Sequence, residues 1–188
     1  MRIATSISGT WQQVPVHIRS FLTRAFFIFV VWKLVYHLLL FPIRFPDKQL
    51  TDLTAASTAF LYKHLLNEPL VLFREELKRG NPQAVLYVED NRAIGIADSC
   101  NGLELYVLFI AFLFCIPSSV KRQLAFTFIG IGVIFVSNAF RCFGLAYLFL
   151  HDYSWANFAH HYLFKMIIYS MMFFGWVLYV KKSSWYAH

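Results

Sequence analysis

The chain has 188 residues, 59% apolar and 14% charged, with 21 phenylalanines and a formal net charge of +7. Soluble domains average about half apolar and about 25% charged, so a soluble globule of this length is excluded: it could not hide this apolar surface without lipid as solvent. The length allows one domain, residues 1–188. The basic charge is sorted along the chain and forms no stripe interleaved with exposed aromatics, which argues against nucleic acid as a partner.

In chain order, Arg2 to Arg24 is mixed in composition, and the apolar run that follows is too long for the h-region of a cleaved signal. That run, Phe21 to Phe41, is the first predicted span and ends at Pro42. A polar stretch of about 60 residues (42–101) follows and holds Asp47, Asp52, Glu68, Glu75, Glu76, Glu89, Asp90 and Asp98, eight of the ten acids. Within it, Leu53 to Phe73 reads as an amphipathic helix, with Leu61, Leu65, Leu66 and Leu70 near helical spacing. It would lie in the interface plane or cap the bundle. Ala84 to Ile96 alternates loosely around Asp90-Asn91 and predicts a short β-hairpin.

Three further spans are predicted at Gly102–Ile116, Leu124–Leu150 and Tyr162–Val180. The first of them is short, since a span needs roughly 20 apolar residues. The predicted class is therefore an all-α polytopic membrane protein of about four transmembrane helices, with an outer amphipathic helix and a hairpin. Arg2, Arg19 and Arg24 precede span one, Lys121 and Arg122 lie between spans two and three, and Lys181 and Lys182 follow span four. These regions carry no acid and fall on one side, so the positive-inside rule makes them and both termini cytoplasmic. The acidic stretch and the His151–His161 loop then face outward from the inner, cytoplasmic membrane.

Three polar features reach that outer face. Cys100 lies in Asp98-Ser99-Cys100-Asn101-Gly102-Leu103-Glu104, just before span two. Asn101 with Glu104 has capping-box spacing, with Asp98 as the alternative cap. Either places Cys100 at a helix N-terminus, which favours thiolate. Cys115 and Cys142 sit in apolar runs and read as small buried hydrophobes, and an odd count of three cysteines gives no disulfide framework. Arg141 lies inside the third run, where a cation is a functional candidate by default. From Gln123 to Arg141 is about 27 Å at ~1.5 Å per residue, near the outer boundary of a ~30 Å core, where snorkelling would also suit it. Asn138 is one turn earlier on the same face. His160 and His161 end the outer loop, and adjacent histidines point different ways on a helix. A nucleophile, a fixed cation and a base on one membrane face are the roles acyl transfer needs.

Other candidates are weaker. Glu75-Glu76-Leu77-Lys78-Arg79 has the paired glutamates of prenyl-protease-type metalloenzymes, but the Arg is one residue too close and the segment is polar. Lys33 and His37, one turn apart in span one, read as packing or snorkelling residues, and Glu104 as a cap. Lys165 and Asp152 have no assigned role.

Ser99-Cys100-Asn101-Gly102-Leu103, then Asn138-Ala139-Phe140-Arg141, then His160 ahead of the last span resemble the Cys, Arg and His signatures of the exosortase/archaeosortase family. The resemblance covers roughly Ile96 to Val180, and the acidic segment has no counterpart in it. It implies a compact membrane cysteine transpeptidase or protease that needs no cofactor or metal. Its substrates would be membrane-anchored proteins with a sorting motif, a C-terminal helix and a basic tail. Cys100 would be the nucleophile, Arg141 the oxyanion or positioning cation, and His160 the proton shuttle with His161 as alternate. Asn101 and Asn138 would position substrate. The sequence departs from the family where many members carry a small residue and Ser around the Cys and a Gly four residues after the His. Here stand Ser99 and Asn101, and Phe164 (after His160) or Lys165 (after His161). Two rivals remain: a small transporter or channel subunit with Arg141 and Lys33 lining a polar path, and a non-catalytic scaffold of a secretion or polysaccharide system.

Overall fold

The computed structural model describes residues 14–67, 71–78, 80–151 and 153–181. Its elements run α1 (Val16–Ile43), α2 (Asp47–Leu65), β1 (Val71–Lys78), β2 (Asn81–Val88), β3 (Asn91–Ala97), α3 (Leu103–Cys115), α4 (Val120–His151) and α5 (Ser154–Lys181). The chain is thus mainly helical with one three-stranded sheet.

Helices α1, α4 and α5, of 28, 32 and 28 residues, are long and apolar enough to cross a bilayer. The expected second span is shorter: α3 has 13 residues, about 20 Å long against a core of ~30 Å. Its place in the bundle explains why this is tolerated. Tyr106, Phe109 and Leu113 pack against Ile134 of α4 and Ile168, Met172 and Tyr179 of α5, so protein covers much of α3. Gly130 sits directly against the Phe109 ring of α3. A Cβ there would sit 2.0 Å from the Phe109 ring, so only glycine lets α4 close on α3.

Pro42 does not end the first helix as predicted. Its missing N–H and ring clash are absorbed by a π turn at Tyr36–Leu40, and the helix runs on to Ile43. The helix then stops at Arg44, in the left-handed region at φ 53°. The predicted loop 151–161 is instead helical over Tyr153–Phe158, and His160 and His161 fall in a second π turn, Ala159–Leu163. Ala156 and Ala159 are buried and hold that segment to the bundle, being one turn apart on the same face.

The amphipathic helix also differs from its prediction. It spans Asp47–Leu65, and residues 71–73 belong to β1; Leu70 lies outside the described residues. Its buried stripe is Asp47, Thr51, Thr54, Ala55, Thr58 and Tyr62, while Leu65 and Leu66 face out, Leu65 at 56% exposure, and Leu61 is half-buried. Small side chains let α2 lie close against α4, where the buried Ala139, Cys142 and Ala146 are equally small. Asn67, at φ 55°, gives the left-handed stop after the helix.

The predicted hairpin is β2–β3. Its turn is Glu89–Asp90, both at positive φ (48° and 66°), as a tight hairpin turn requires. β1 has no counterpart in the sequence reading: Arg74, Glu75, Glu76 and Lys78 break alternation, as suits an edge strand. The order is β1-β2-β3, antiparallel throughout. Ala84 and Ile96 form one core with Ala55 and Cys142, and Leu86 and Val88 form another with Tyr62 and Ala146. The sheet and α2 therefore make a cap on the α4 end that carries Asn138 and Arg141.

The opposite end is basic. Arg122 donates from Nη2 to the Tyr179 carbonyl and lies 5.0 Å from the Tyr179 ring centre, which ties the start of α4 to the end of α5.

Candidate active site

Cys100 closes a single 3₁₀ turn, Asp98–Cys100, that leaves β3. Gly102 follows at φ 88° and sits one residue ahead of α3. The left-handed value explains the glycine of the Cys-x-Gly pattern. Asn101 is 1% exposed. Its Oδ1 accepts the Leu103 N–H at 2.8 Å, and its Nδ2 donates to Asp47 Oδ1 at 2.9 Å. The expected capping box does not form: the N-cap is Gly102, and the Asn101 bond is an i, i+2 side-chain turn ahead of the helix. Glu104 does not reach back; its side chain is 84% exposed and faces Lys33 Nζ at 3.6 Å. Asn101 thus has its amide engaged within the protein and shapes the turn.

From the other side, α4 presents Asn138 and Arg141 one turn apart, as their spacing predicts. Both donate to one atom, the carbonyl oxygen of Cys100: Arg141 Nη2 at 3.0 Å and Asn138 Nδ2 at 3.2 Å. Arg141 Nε and Asn138 Oδ1 are buried and have no partner among the described residues. The Cys100 thiol is half-buried, with Ser99 Oγ 4.0 Å from its sulfur, whereas Cys115 and Cys142 are buried as predicted. Cys100, Asn138 and Arg141 share the wall of a cavity of about 980 Å³ with Lys165 and Tyr169 of α5. That is at the upper end of ligand-site volumes.

The histidines separate. His161 is exposed and its Nδ1 lies 3.0 Å from the Asn157 carbonyl oxygen. His160 is half-buried, its Nδ1 is unpartnered among the described residues, and its charged neighbours include Arg141 and Lys165. Of the two, His160 is the one with Arg141 among its charged neighbours, and neither histidine lines the cavity.

Several site residues escaped sequence reasoning. Arg44 donates from Nε and Nη2 to the two oxygens of Asp98 at 2.9 and 3.1 Å, and from Nη1 to Glu75 at 2.6 Å. Thr51 Oγ1 adds a bond to Asp98 at 2.8 Å, and Tyr36 one to Asp47 at 3.0 Å. Lys48 bonds Asp52 and Glu75. Hydrogen bonds from Arg44 and Lys48 hold the Glu75 carboxyl below its ordinary range, and Asp98, then Glu75, raise Arg44. Glu76 accepts from Tyr87 and lies 3.9 Å from Arg92, and its bond raises the Tyr87 hydroxyl. The paired glutamates are therefore ion-pair partners on an edge strand. Among the described residues no three His, Cys, Asp or Glu side chains converge on a metal-sized site. Lys165, unassigned from sequence, has no ion pair among the described residues and is a free cation on the cavity wall.

A family model described as transmembrane exosortase matches residues 16–180. The chain belongs to the transmembrane exosortase family. No curated protein and no solved structure matches it. The family match runs from α1 to the end of α5, so this exosortase includes the acidic cap that the sequence resemblance left without a counterpart. Exosortases are generally cysteine transpeptidases, and a membrane protein of transpeptidase- or protease-like function is the class this membership gives.

Proposed function

We propose that this exosortase cleaves the C-terminal sorting signals of membrane-anchored proteins through a thioester on Cys100. The observation that carries the proposal is the convergence of Asn138 and Arg141 on the Cys100 carbonyl, beside a half-exposed thiol at the wall of a large cavity.

The chemistry runs as two acyl transfers. His160 takes the thiol proton, and the Cys100 thiolate attacks the scissile carbonyl carbon. The C=O π pair moves to oxygen, and the Arg141 guanidinium and Lys165 ammonium, both residues of the cavity wall, stabilise that charge. As the tetrahedral centre collapses, the C–N bond breaks and the leaving amine takes the proton from His160. An amine or water then attacks the thioester, His160 accepts its proton, and the C–S bond breaks to return the thiolate. His160 does not line the cavity, so its proton reaches Cys100 through a relay and not through a direct hydrogen bond. Asn138 and Asn101 hold the nucleophile's backbone, a role nearer the sulfur than the substrate positioning expected of them.

The basic end, with Arg122 and Lys181, is assigned to the cytoplasm by the positive-inside rule. Both termini then lie inside, and Cys100 faces the outer side of the inner membrane. The substrate is a membrane-anchored protein with a C-terminal helix and basic tail, which leaves after cleavage. A transporter would need a polar path through the bundle, yet the helices meet through Tyr106, Phe109, Leu113, Ile134, Ile168 and Met172.

The test is Cys100→Ala in the native host, comparing the masses of exported membrane-anchored proteins with wild type. Uncleaved forms that keep their C-terminal helix should accumulate. Unchanged processing would sink the enzyme reading and favour a scaffold.

A further inference from the structure

The turn that carries Cys100 is gripped from two sides. The Cys100 carbonyl is held by α4, as described. Asp98, two residues before Cys100, and Asn101, the residue after it, are held by the junction of α1 and α2. Asp98 receives both Nε and Nη2 of Arg44 and the hydroxyl of Thr51. Asn101 binds Asp47, which is 3% exposed and also accepts from Tyr36 in the π turn of α1. The contacts made directly to the turn join residues far apart in sequence: 54 positions for Arg44–Asp98 and Asp47–Asn101, and 47 for Thr51–Asp98. One short turn thus receives anchors from three separate helices.

We propose that Arg44, acting through Asp98, and Asp47, acting through Asn101, are positioning residues that set the location and approach of the Cys100 thiol. This rests on the reading of Cys100 as the nucleophile. Arg44 is suited to the task because all three guanidinium nitrogens are engaged, two in a fork on one carboxylate. It adopts the left-handed backbone to do so, at φ 53°. Lysine has no planar fork and cannot hold both oxygens in one plane.

Positioning and simple stability predict different outcomes. The Arg44 and Asp98 side chains are 30% and 23% exposed, and partly solvated ion pairs add little to folding stability. Misplacement of a reacting group by about 1 Å, however, can cost about 100-fold in rate. A positioning clamp should therefore change thiol reactivity far more than melting temperature. It also assigns work to the acidic segment between α1 and α3: three of its polar residues, Arg44, Asp47 and Asp98, hold the nucleophile's turn.

The experiment uses the full-length chain in lipid nanodiscs and iodoacetamide as probe. Cys115 and Cys142 are buried at 3% and 1% exposure, so alkylation read by peptide mass spectrometry reports on Cys100. Arg44→Lys, Asp98→Asn and Asp47→Asn are compared with wild type across roughly pH 6–10, a range that brackets an ordinary thiol pKa. Glu76→Gln removes a looser ion pair of the cap, Arg92–Glu76 at 3.9 Å, that does not touch the turn and serves as control. The expected result is a change of about tenfold or more in Cys100 alkylation rate, with a displaced pH midpoint, for the three clamp variants only, and Asp98→Glu restoring part of the wild-type rate. Alkylation profiles matching wild type in folded clamp variants overturn the proposal. So does an equal change in Glu76→Gln, or a reactivity change that only tracks a lowered melting temperature. The readout needs no turnover, so this failure is distinct from failure of the nucleophile reading, which Cys100→Ala processing reports.

Discussion

Replacing Arg141 by Ala removes two different things, and their separation is measurable. The first is one of two donors to the Cys100 carbonyl, at 3.0 Å; Asn138 remains at 3.2 Å. A hydrogen bond from a charged donor is worth about 1.5–3 kcal/mol, and retention of the Asn138 bond limits the structural loss. The second is the positioned cation on the cavity wall. Loss of one preorganised donor to a developing oxyanion costs about 10²–10³ in rate, or ~2.7–4 kcal/mol. Arg141→Ala should therefore lower processing at least 100-fold while the protein still accumulates in the membrane. Arg141→Lys keeps a charge without the fork and should fall between. Asn138→Ala should cost about tenfold or less, since it loses one neutral bond of about 0.5–1.5 kcal/mol. The double variant should lose more than the two single losses combined, because each donor partly covers for the other on a shared acceptor. The assay is the initial rate of substrate cleavage in cells, normalised to enzyme in the membrane fraction. Arg141→Ala within threefold of wild type would refute the assignment of that cation to the reaction.

Three further outcomes follow from the same geometry. Gly130→Ala places a Cβ against the Phe109 ring, where only 2.0 Å is available; it should lower the melting temperature in detergent, and Phe109→Leu in the same chain should recover part of the loss. His160→Ala should abolish processing, whereas His161→Ala, whose ring meets a carbonyl on the exposed face, should leave it within a few-fold; equal losses would return the two to an open choice. Glu75 has a folded pKa lowered from its ordinary value of 4.5 by Arg44 and Lys48, so its contribution to stability is complete above about pH 4.5 and fades as pH falls through the lowered value. Glu75→Gln should flatten that acid limb in thermal melts, by a small amount because the pair is solvated.

The hydrophobic spans were readable because lipid imposes a strong constraint on composition, and Phe21–Phe41, Leu124–Leu150 and Tyr162–Val180 all lie within helices of the structure. Their ends were less readable. Pro42 follows one π turn and the two histidines sit in another, where the helix widens and continues instead of stopping. The cap was the hardest part. The leucines of α2 suggested its packing face, but close approach to α4 selected threonine and alanine. β1 is an edge strand with solvated charges and no inner-face alternation to detect. At the site, local motifs located Cys100, Asn138 and Arg141, and placed the last two one turn apart. Arg44 and Asp47 gave no such signal. Their partners lie 54 residues away, and only the folded path of the cap brings them to the Cys100 turn. Lys165 was likewise silent, because nothing in the local sequence shows which side of α5 meets the cavity.

Incubation of the purified, lipid-embedded protein with a membrane-anchored substrate, quenched at low pH and read by peptide mass spectrometry, tests the thioester directly. The account predicts an acyl adduct on Cys100 that hydroxylamine removes and that is absent in Cys100→Ala. Cleavage that proceeds in Cys100→Ala, or an adduct on another residue, would contradict it.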